Sequence, residues 1–235
     1  MNPEKTRGVN YDYDAAAERY DAHRQGGGPF LPFLCELAQE THAKTVLELG
    51  PGTGNNTRAF MEAYPCVLIG LEPSRGMLLK GIRKVPAAKW IRGSALAIPL
   101  RSNSCDFIFA VLVLHHIRDL APVMHECHRV LRSGYAAFVT SPHDFIDRHP
   151  MNRYFPSFAE IDKRRFHPIK TIQQSLRDAG FTHVGQDRIV GPPQTIDEAY
   201  VRKVEGRFLS TFDLIPPEEY QAGLDQLRAD VAKHG

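Results

Sequence analysis

Short apolar runs alternate with amphipathic stretches along most of this chain. Runs near residues 46–49, 68–71, 90–91, 107–114 and 135–140 have the short length and apolar character of buried parallel strands. The stretches between them repeat apolar residues at helical spacing, as helices that pack on a sheet do. Strands that alternate with helices predict an α/β fold with a doubly wound, mostly parallel sheet and right-handed crossovers.

The segments on either side of this pattern are helical in character. Residues 11–24 are rich in helix formers and carry an aromatic stripe, and a second amphipathic helix follows the glycines at 26–28. A helix joined to the sheet through three glycines could close over a ligand as a lid or pack on the sheet edge. Beyond the fifth strand, residues 184–190 are predicted to form a sixth strand, and residues 195–235 have helical periodicity.

The pattern predicts one domain with helices at both ends and one insert. Aromatic and basic side chains in the insert could wall a substrate pocket or form a plain covering loop. The predicted parts are N-terminal helices at 1–42, which include the possible lid, a sheet core at 43–144, the insert at 145–167, the continued core at 168–190 and C-terminal helices at 191–235.

Composition limits the function classes. The 235 residues include 29 basic and 27 acidic side chains spread along the chain, without the basic run that marks nucleic-acid binding. The longest apolar run, residues 107–114, is too short to span a bilayer, and the first residues do not begin a secretory signal. Four cysteines without a C-x-x-C pair fit reduced thiols. We therefore predict a cytoplasmic protein without nucleic-acid or membrane partners.

The stretch with the clearest chemical character is residues 46–57, V-L-E-L-G-P-G-T-G-N-N-T. Three glycines break the first strand at every second position: Gly50, Gly52 and Gly54. Glycines let the backbone turn sharply and let a ligand approach main-chain N–H groups. We expect Thr53 or Asn55 to cap the helix that follows, with its positive end facing the ligand.

Two acidic residues lie at the ends of the first two strands. Glu48 precedes the glycines, where a carboxylate disfavours a pyrophosphate and favours a cation. Glu72 ends the second apolar run 20 residues after Gly52, the distance at which dinucleotide-binding proteins place a ribose-binding carboxylate. The dinucleotide fingerprint G-x-G-x-x-G would need a glycine where Asn55 stands. An NAD-dependent oxidoreductase is therefore disfavoured.

The acid-first spacing E-x-G-x-G-x-G is complete from Glu48 to Gly54, and residues 114–119 read L-H-H-x-x-D. In these motifs the chain resembles the class I S-adenosylmethionine-dependent methyltransferases, over about residues 10–190. The resemblance implies a Rossmann-like methyltransferase sheet and S-adenosylmethionine as cofactor. Such proteins usually end with a seventh, antiparallel strand. No convincing strand follows Val190, so that strand is either short and hidden or lacking.

The resemblance also implies a set of cofactor contacts. The glycines would pack against the methionine part, Glu48 would hold the loop and the ammonium end, and Glu72 would accept both ribose hydroxyls. Relatives often have an aspartate for the adenine amino group where this chain has Ser94, so weaker binding is expected, with the N–H of Ala95 as a further contact. The predicted cofactor-binding residues are Tyr20, Glu48, Gly50, Gly52, Gly54, Asn55, Glu72, Pro73, Met77, Ser94, Ala95 and Ala110.

Three of these contacts come from other segments. Tyr20 belongs to a Y-D-x-x-A-x-x-Y-D stretch that covers the cofactor in similar methyltransferases. Met77 lies where the family often packs an apolar side chain on the adenine ring. The main chain near Ala110 would hold the methionine amino group.

Methyl transfer by in-line displacement needs no protein nucleophile, because a dry pocket that aligns acceptor, methyl carbon and sulfur supplies much of the acceleration. A hydroxyl or thiol acceptor would use a base, and the candidates are His116 and His143, near the carboxyl ends of strands. For each of them, a solvated loop histidine is the alternative. His125 and His128 could share a helix face but lack the converging ligands that zinc needs, so no metal is predicted.

The sequence therefore predicts a methyltransferase that acts on a small-molecule acceptor. The loop after the fourth strand lacks the Asp/Asn-Pro-Pro-aromatic sequence with which enzymes that methylate base amino groups hold a flipped base. The alternative is a non-catalytic S-adenosylmethionine-binding protein that acts as a sensor or partner subunit. The acceptor and the oligomeric state stay open.

Overall fold

The computed structural model describes Asp21 and residues 26–234. In this part of the chain the strands are β1 (Thr45–Leu49), β2 (Val67–Glu72), β3 (Lys89–Arg92), β4 (Cys105–Val111) and β5 (Leu131–Val139). The α-helices are α1 (Leu31–Glu40), α2 (Asn55–Ala63), α3 (Arg75–Lys84), α4 (Ala121–Val130), α5 (His143–Asp147), α6 (Phe158–Arg165), α7 (Ile169–Asp178), α8 (Glu198–Glu205) and α9 (Pro217–His234). Short 3-10 turns lie at Leu114–His116, Pro150–Arg153 and Ser210–Asp213. The helix predicted at 11–24 lies outside the described residues, apart from Asp21.

The five strands form one parallel sheet in the order β3-β2-β1-β4-β5. β1 is central and pairs with β2 on one side and β4 on the other. The chain order of the strands reverses at β1, with β2 and β3 on one side and β4 and β5 on the other. In sheets of this kind, ligands bind at the carboxyl ends of the strands next to the reversal. The predicted doubly wound α/β fold is confirmed, and the carboxyl ends of β1, β2 and β4 define where to look for a site.

Alternation along the central strands builds a core on each face of the sheet. One face buries Leu34 and Ala38 of α1, Phe60 of α2, and Val46, Phe107 and Phe109 of the strands. The opposite face buries Leu47, Leu49, Ile108 and Ala110 against Val123 and Cys127 of α4. On the first face the rings of Phe60 and Phe109 stack with centroids 4.9 Å apart. Helices therefore cover both faces, which explains why the strands are almost continuously apolar.

β5 begins at Leu131, earlier than the predicted start at residue 135. Cys105 pairs with Leu131 but Phe107 pairs with Tyr135, so β5 bulges between these pairs. Gly134 in the bulge has a φ of 123°, and a Cβ there would lie 2.4 Å from the carbonyl oxygen of Asp106. The bulge hides the start of the strand because its polar residues interrupt the apolar run.

The helices after β5 form a second core of their own. Its buried members include Met151, Tyr154, Phe155, Phe158, Tyr200, Val204, Phe212, Tyr220 and Leu227. The hypothesis that the aromatic residues of the insert wall a pocket is therefore wrong for most of them. Their helical spacing lets them pack against α8 and α9 instead, and Phe155 is fully buried there.

The predicted sixth strand is wrong. Residues 184–190 pair with no strand of the described chain, and most of them are exposed. Side-chain hydrogen bonds hold this stretch against the helices instead. Arg188 bonds Asp144 of α5, and Gln173 of α7 donates to Gln186 at 3.3 Å. Alternating apolar residues supplied strand propensity, but a strand also needs a neighbouring edge to pair with.

Candidate functional site

The glycine loop (residues 50–54) leaves β1 through three left-handed residues. φ is 61° at Gly50, 58° at Gly52 and 83° at Gly54, a region that glycine adopts without steric cost. At Gly50 a Cβ would also lie 2.7 Å from Cγ2 of Val113, which follows β4. The loop therefore joins the carboxyl ends of β1 and β4 in direct contact.

Helix α2 starts directly after the loop, without the predicted side-chain cap. Gly54 holds the N-cap position in a left-handed conformation, and no described side chain caps the helix. The hydroxyl of Thr53 and the amide of Asn55 turn to other partners, so the capping prediction is wrong. No cap side chain neutralises the positive end of α2.

The side chain of Glu72 accepts hydrogen bonds from the main chain of two segments, the glycine loop and the turn before α3. One carboxylate oxygen accepts the N–H of Gly52 at 2.9 Å, and the other accepts the N–H of Ser74 at 2.9 Å. The side chain is 6% exposed. The carboxylate therefore shapes both the glycine loop and the start of α3, and a carboxylate is the kind of group that suits two neighbouring hydroxyls of a ligand.

Glu48 lies inside the protein beneath the loop. Its Oε2 accepts the hydroxyl of Thr57 at 2.6 Å, and its side chain is 1% exposed. Burial, and to a lesser degree the nearby charge of Glu72, raises the pKa of Glu48 to about 8, although the bond from Thr57 works against this rise. The carboxyl therefore keeps its proton at neutral pH. The geometry favours a structural role for Glu48, which bonds the first turn of the helix after the loop, over contact with an ammonium group.

Four polar side chains, which we name the clasp, bind the loop from the side: Asp21, Thr53, Asn55 and Lys84. The ammonium of Lys84 lies 2.8 Å from Asp21 Oδ2 and 2.6 Å from Asn55 Oδ1. Burial alone would raise the pKa of Asp21, but hydrogen bonds from Lys84, Thr53 and Asn55 outweigh burial and lower that pKa. Asn55, predicted to contact cofactor, thus uses its amide within the clasp. Tyr20 lies outside the described residues.

The predicted adenine side lies beyond β2 and β3. Ser94 is exposed, and its hydroxyl oxygen accepts the N–H of Leu96 at 3.2 Å, which leaves the hydroxyl hydrogen to donate. Ala95 is half-buried and Pro73 is exposed, beside Glu72. Met77 is only 1% exposed, so an adenine ring could reach its side chain only after neighbouring groups move.

The other side of the site follows β4. Ala110 is buried at the centre of the sheet, paired with Leu49 and Phe138. Leu112 has a φ of 54°, a strained value for a leucine, and its side chain is 42% exposed. Strained residues cluster at ligand sites. The exposed side chain of Leu112 is therefore a candidate apolar contact for an acceptor.

The two candidate bases are placed differently. His116 is exposed at the 3-10 turn after β4, with its ring 3.8 Å from that of His115. His143 lies at the start of α5, where its Nε2 is 2.7 Å from the carbonyl oxygen of Phe166. That nitrogen must carry hydrogen to bond a carbonyl, so only Nδ1 of His143 could take a proton from a substrate.

The basic residues of the insert are paired with acids. Lys163 bonds Asp147 at 2.6 Å, and Arg164 bonds Glu160. Arg165 is buried with Asp162 at 3.3 Å and bonds Ser210 at 2.9 Å. The idea that these three cations meet a substrate anion is not supported for Arg165, because its guanidinium holds α6 to the C-terminal helices.

Sequence reasoning missed several residues that shape the site. Thr57 and Val113 were not singled out, although each touches a motif residue. The residues around Lys84 in the sequence do not indicate its role, because its partners Asn55 and Thr53 lie 29 and 31 positions away. Asp21 stood within the Y-D-x-x-A-x-x-Y-D stretch, and that motif was the one available hint.

Comparisons with known proteins agree with this geometry. Residues 47–139 match a family model described as a methyltransferase domain. The chain is 30% identical over 195 residues to the malonyl-[acyl-carrier protein] O-methyltransferase of Methylococcus capsulatus, an alignment that covers 79% of this chain and 69% of that protein. A putative methyltransferase from an antibiotic biosynthesis pathway of Anabaena variabilis has the same fold, with a TM-score of 0.69, 22% identity and 86% of each chain covered.

One relative is much longer than this chain. The biotin biosynthesis bifunctional protein BioHC of Cellvibrio japonicus is 27% identical over 179 residues, covering 73% of this chain but 34% of that protein. The chain thus spans about a third of that relative.

Proposed function

Because the chain belongs to the class I S-adenosylmethionine-dependent methyltransferases, we propose that it transfers the cofactor's methyl group to a carboxylate oxygen of a small-molecule acceptor. The Methylococcus relative is named as a methyltransferase and the family model describes a methyltransferase domain, which favours an enzyme over the non-catalytic binding protein. The single observation that supports cofactor binding most strongly is the position of Glu72 at the end of β2, where its carboxylate accepts the N–H of Gly52 in the glycine loop and the N–H of Ser74 before α3.

The residues around Glu72 fit the cofactor in outline. Glycines at 50, 52 and 54 let a ligand approach the main chain of the loop closely, and we propose that Ser94 and Ala95 bind the adenine amino group. S-adenosylmethionine supplies an activated methyl group on a sulfonium. The protein's part is to align that group with the acceptor and to keep water away.

Two observations support a carboxylate acceptor. The Methylococcus relative is named an O-methyltransferase of a malonyl group, which carries a free carboxylate. A carboxylate is already ionised at neutral pH, so it needs no general base. This fits a site where one ring nitrogen of His143 is already held by the carbonyl oxygen of Phe166.

Other parts of the proposal concern location and partners. No helix among the described residues is both long and apolar enough to cross a bilayer. Burial raises the pKa of Cys66 to about 11 and of Cys127 to about 12, which favours unreactive thiols of the kind found in a reducing compartment. We therefore propose a cytoplasmic location. We further propose that residues 145–167 lie on the acceptor side and that the protein has no nucleic-acid partner.

The test uses S-adenosylmethionine labelled in the methyl group and three acceptor classes, namely short dicarboxylic acids or their monothioesters, phenols and primary amines. We expect S-adenosylhomocysteine to form with the acids. Mild alkali should then release the label as methanol, since methyl esters hydrolyse and methyl ethers or amines do not. Alkali-stable label would overturn the carboxylate assignment, and no turnover with any class would overturn the enzyme.

The two histidines provide a second prediction. With a carboxylate acceptor, His116→Ala and His143→Ala should each lower kcat by less than about tenfold, because a general base typically contributes a factor of about 10² to 10⁴. A loss of about 10³ for either variant, with unchanged cofactor affinity, would indicate a base and an acceptor that must be deprotonated.

A further inference from the structure

The clasp connects the glycine loop to two distant segments of the chain. Lys84 is the last residue of α3, and Asp21 precedes the glycines at 26–28. Between them stand Thr53 and Asn55, on either side of Gly54. Lys84 reaches Asp21, Asn55 and, at 3.2 Å, the hydroxyl oxygen of Thr53, so its three hydrogens have three acceptors.

Asp21 closes the network from the opposite side. Its Oδ1 accepts the hydroxyl of Thr53 and, at 3.1 Å, the amide of Asn55. Thr53 and Asn55 therefore each donate to the acid and accept from the base. The side chains of Asp21 and Lys84 are only 34% and 19% exposed, which limits screening by solvent.

From this network we propose that Asp21 and Lys84 are a positioning pair that holds the glycine loop in its cofactor-binding conformation. The inference rests on the proposed cofactor. It states that affinity for S-adenosylmethionine depends on an ion pair that does not itself touch the ligand.

The loop needs such support because of its glycines. Gly52 and Gly54 lie at φ values of 58° and 83°, but glycine adopts many other conformations at similar energy. The clasp holds Thr53, which lies between the two glycines, and Asn55, which follows them. The conformational freedom of the loop is therefore reduced at two positions. The main chain of the loop is then already in one conformation before the ligand binds, which reduces the entropy lost on binding.

A second contact ties the same N-terminal stretch to the loop region. The N–H of Gly27 donates to Oδ1 of Asn56 at 3.3 Å. A Cβ at Gly26 would lie 2.0 Å from the carbonyl oxygen of Asn55, so the backbone there packs directly on the first turn of α2. Asp21 and the glycines at 26 and 27 thus attach this N-terminal stretch to the start of α2 at two points. Breaking the ion pair loosens the attachment at Asp21.

The experiment is a double-mutant cycle on the full chain with Asp21→Asn, Lys84→Gln and the double variant. Isothermal titration with S-adenosylhomocysteine gives the dissociation constant, and melting of the cofactor-free protein gives stability. A matched cycle uses Glu205→Gln and Arg228→Gln, an ion pair of 2.7 Å in the C-terminal helices whose side chains are 36% and 47% exposed.

Each single variant should weaken binding about tenfold, since a charge-assisted hydrogen bond is lost at a partly buried site. The double variant should be no weaker than the singles, because the pair acts as one unit. KM for the cofactor should rise while kcat at saturation stays near the wild-type value. The matched cycle should leave the dissociation constant unchanged.

Reversing the pair separates positioning from simple folding. In Asp21→Lys/Lys84→Asp, the hydroxyl of Thr53 can rotate and the amide of Asn55 can flip to serve the exchanged charges. Affinity should then recover by at least threefold over the weaker single reversal. Thr53→Val, which removes one shared hydroxyl with little change in shape, should weaken binding about threefold if a charge variant does not fold.

Three results would overturn the positioning role. They are single variants within twofold of wild type in affinity, multiplicative effects in the double variant, or lower melting temperatures with unchanged affinity. Failure of the wild type itself to bind S-adenosylhomocysteine would instead count against the proposed function.

Discussion

Glu48 and Glu72 place the same carboxyl group in two different environments. Glu72 accepts two main-chain N–H groups, whereas the bond that Glu48 accepts comes from a hydroxyl, that of Thr57, in a fully buried position. Main-chain N–H donors stabilise an ionised carboxylate, and burial with a single hydroxyl donor favours the neutral acid. The two acids at the ends of β1 and β2 thus have different chemistry: Glu72 bonds the main chain of the glycine loop, whereas Glu48 is a buried neutral acid that bonds the first turn of α2.

Stability should report the raised pKa of Glu48. The folded protein holds this proton up to pH about 8, whereas an unfolded chain releases it near the ordinary value of 4.5. The folded state therefore loses stability as pH rises between these values. Glu48→Gln stays neutral and keeps an acceptor for Thr57. Without cofactor, the melting temperature of Glu48→Gln should be close to that of wild type at pH 5 and about 5 °C above that of wild type at pH 8 to 9.

The control for this comparison is Glu62→Gln, an exposed position on α2. Its melting temperature should follow wild type across the same pH range. Parallel curves for wild type and Glu48→Gln would contradict a neutral Glu48.

At the scale of single residues, the sequence predicted what short spacing determines. The glycines and Glu72 lie a fixed number of positions apart, and the strand-loop-helix geometry follows from that spacing. The clasp could not be predicted, because Asp21 and Lys84 meet only after three elements have packed. The cap at Thr53 or Asn55 was wrong for the same reason, since both side chains have stronger partners in the clasp.

Among the elements, β3 and α3 meet the glycine loop through one side chain. The ring of Trp90 lies against three glycines, and a Cβ would approach it to 3.0 Å at Gly54, 3.1 Å at Gly70 and 2.3 Å at Gly81. The indole N–H donates to the carbonyl oxygen of Val85 at 3.0 Å, which fixes the ring. Absence of side chains at these three positions makes room for the ring beside the loop.

This packing reverses the usual effect of alanine in a helix. Alanine is favoured over glycine in a helix interior by about 1 kcal/mol. Gly81→Ala should nevertheless destabilise the protein by about 2 kcal/mol, because the new methyl group overlaps the ring of Trp90. Denaturant unfolding measures the change.

Gly185→Ala is the matched control, since no atom lies within 4 Å of a Cβ there. Its free energy of unfolding should change by less than about 0.5 kcal/mol. A Gly81→Ala variant as stable as wild type would show that the ring of Trp90 can move away from the loop.

Element types were predicted better than element pairing. Alternation and apolar runs located all five strands of the described sheet, because buried parallel strands have a clear local signature. Residues 184–190 have a similar signature but lie exposed, held by Arg188 and Gln186. Whether such a stretch becomes a strand depends on a partner edge elsewhere in the chain, which local sequence does not encode.

The whole molecule combines a sheet core with a separate helical core. The sheet carries the proposed cofactor residues, and the helical core, formed around Phe155, Phe212 and Leu227, adjoins it after β5. His149 belongs to this second unit, where burial lowers its pKa to about 4 and its ring stacks on Phe158. It therefore stays neutral at physiological pH.

Binding of S-adenosylhomocysteine to wild type and to Glu72→Gln tests the central claim most directly. The fluorescence of Trp90, the single tryptophan, provides a signal beside the loop, and isothermal titration provides the constant. Glu219→Gln is the control, because Glu219 also accepts a main-chain N–H, that of Ser157 at 2.8 Å, but in the helical core.

The account predicts one-to-one binding by wild type, unchanged binding by Glu219→Gln and about 30-fold weaker binding by Glu72→Gln, which loses charge-assisted bonds to the ribose. Equal affinity of Glu72→Gln and wild type, or no binding by wild type, would contradict it.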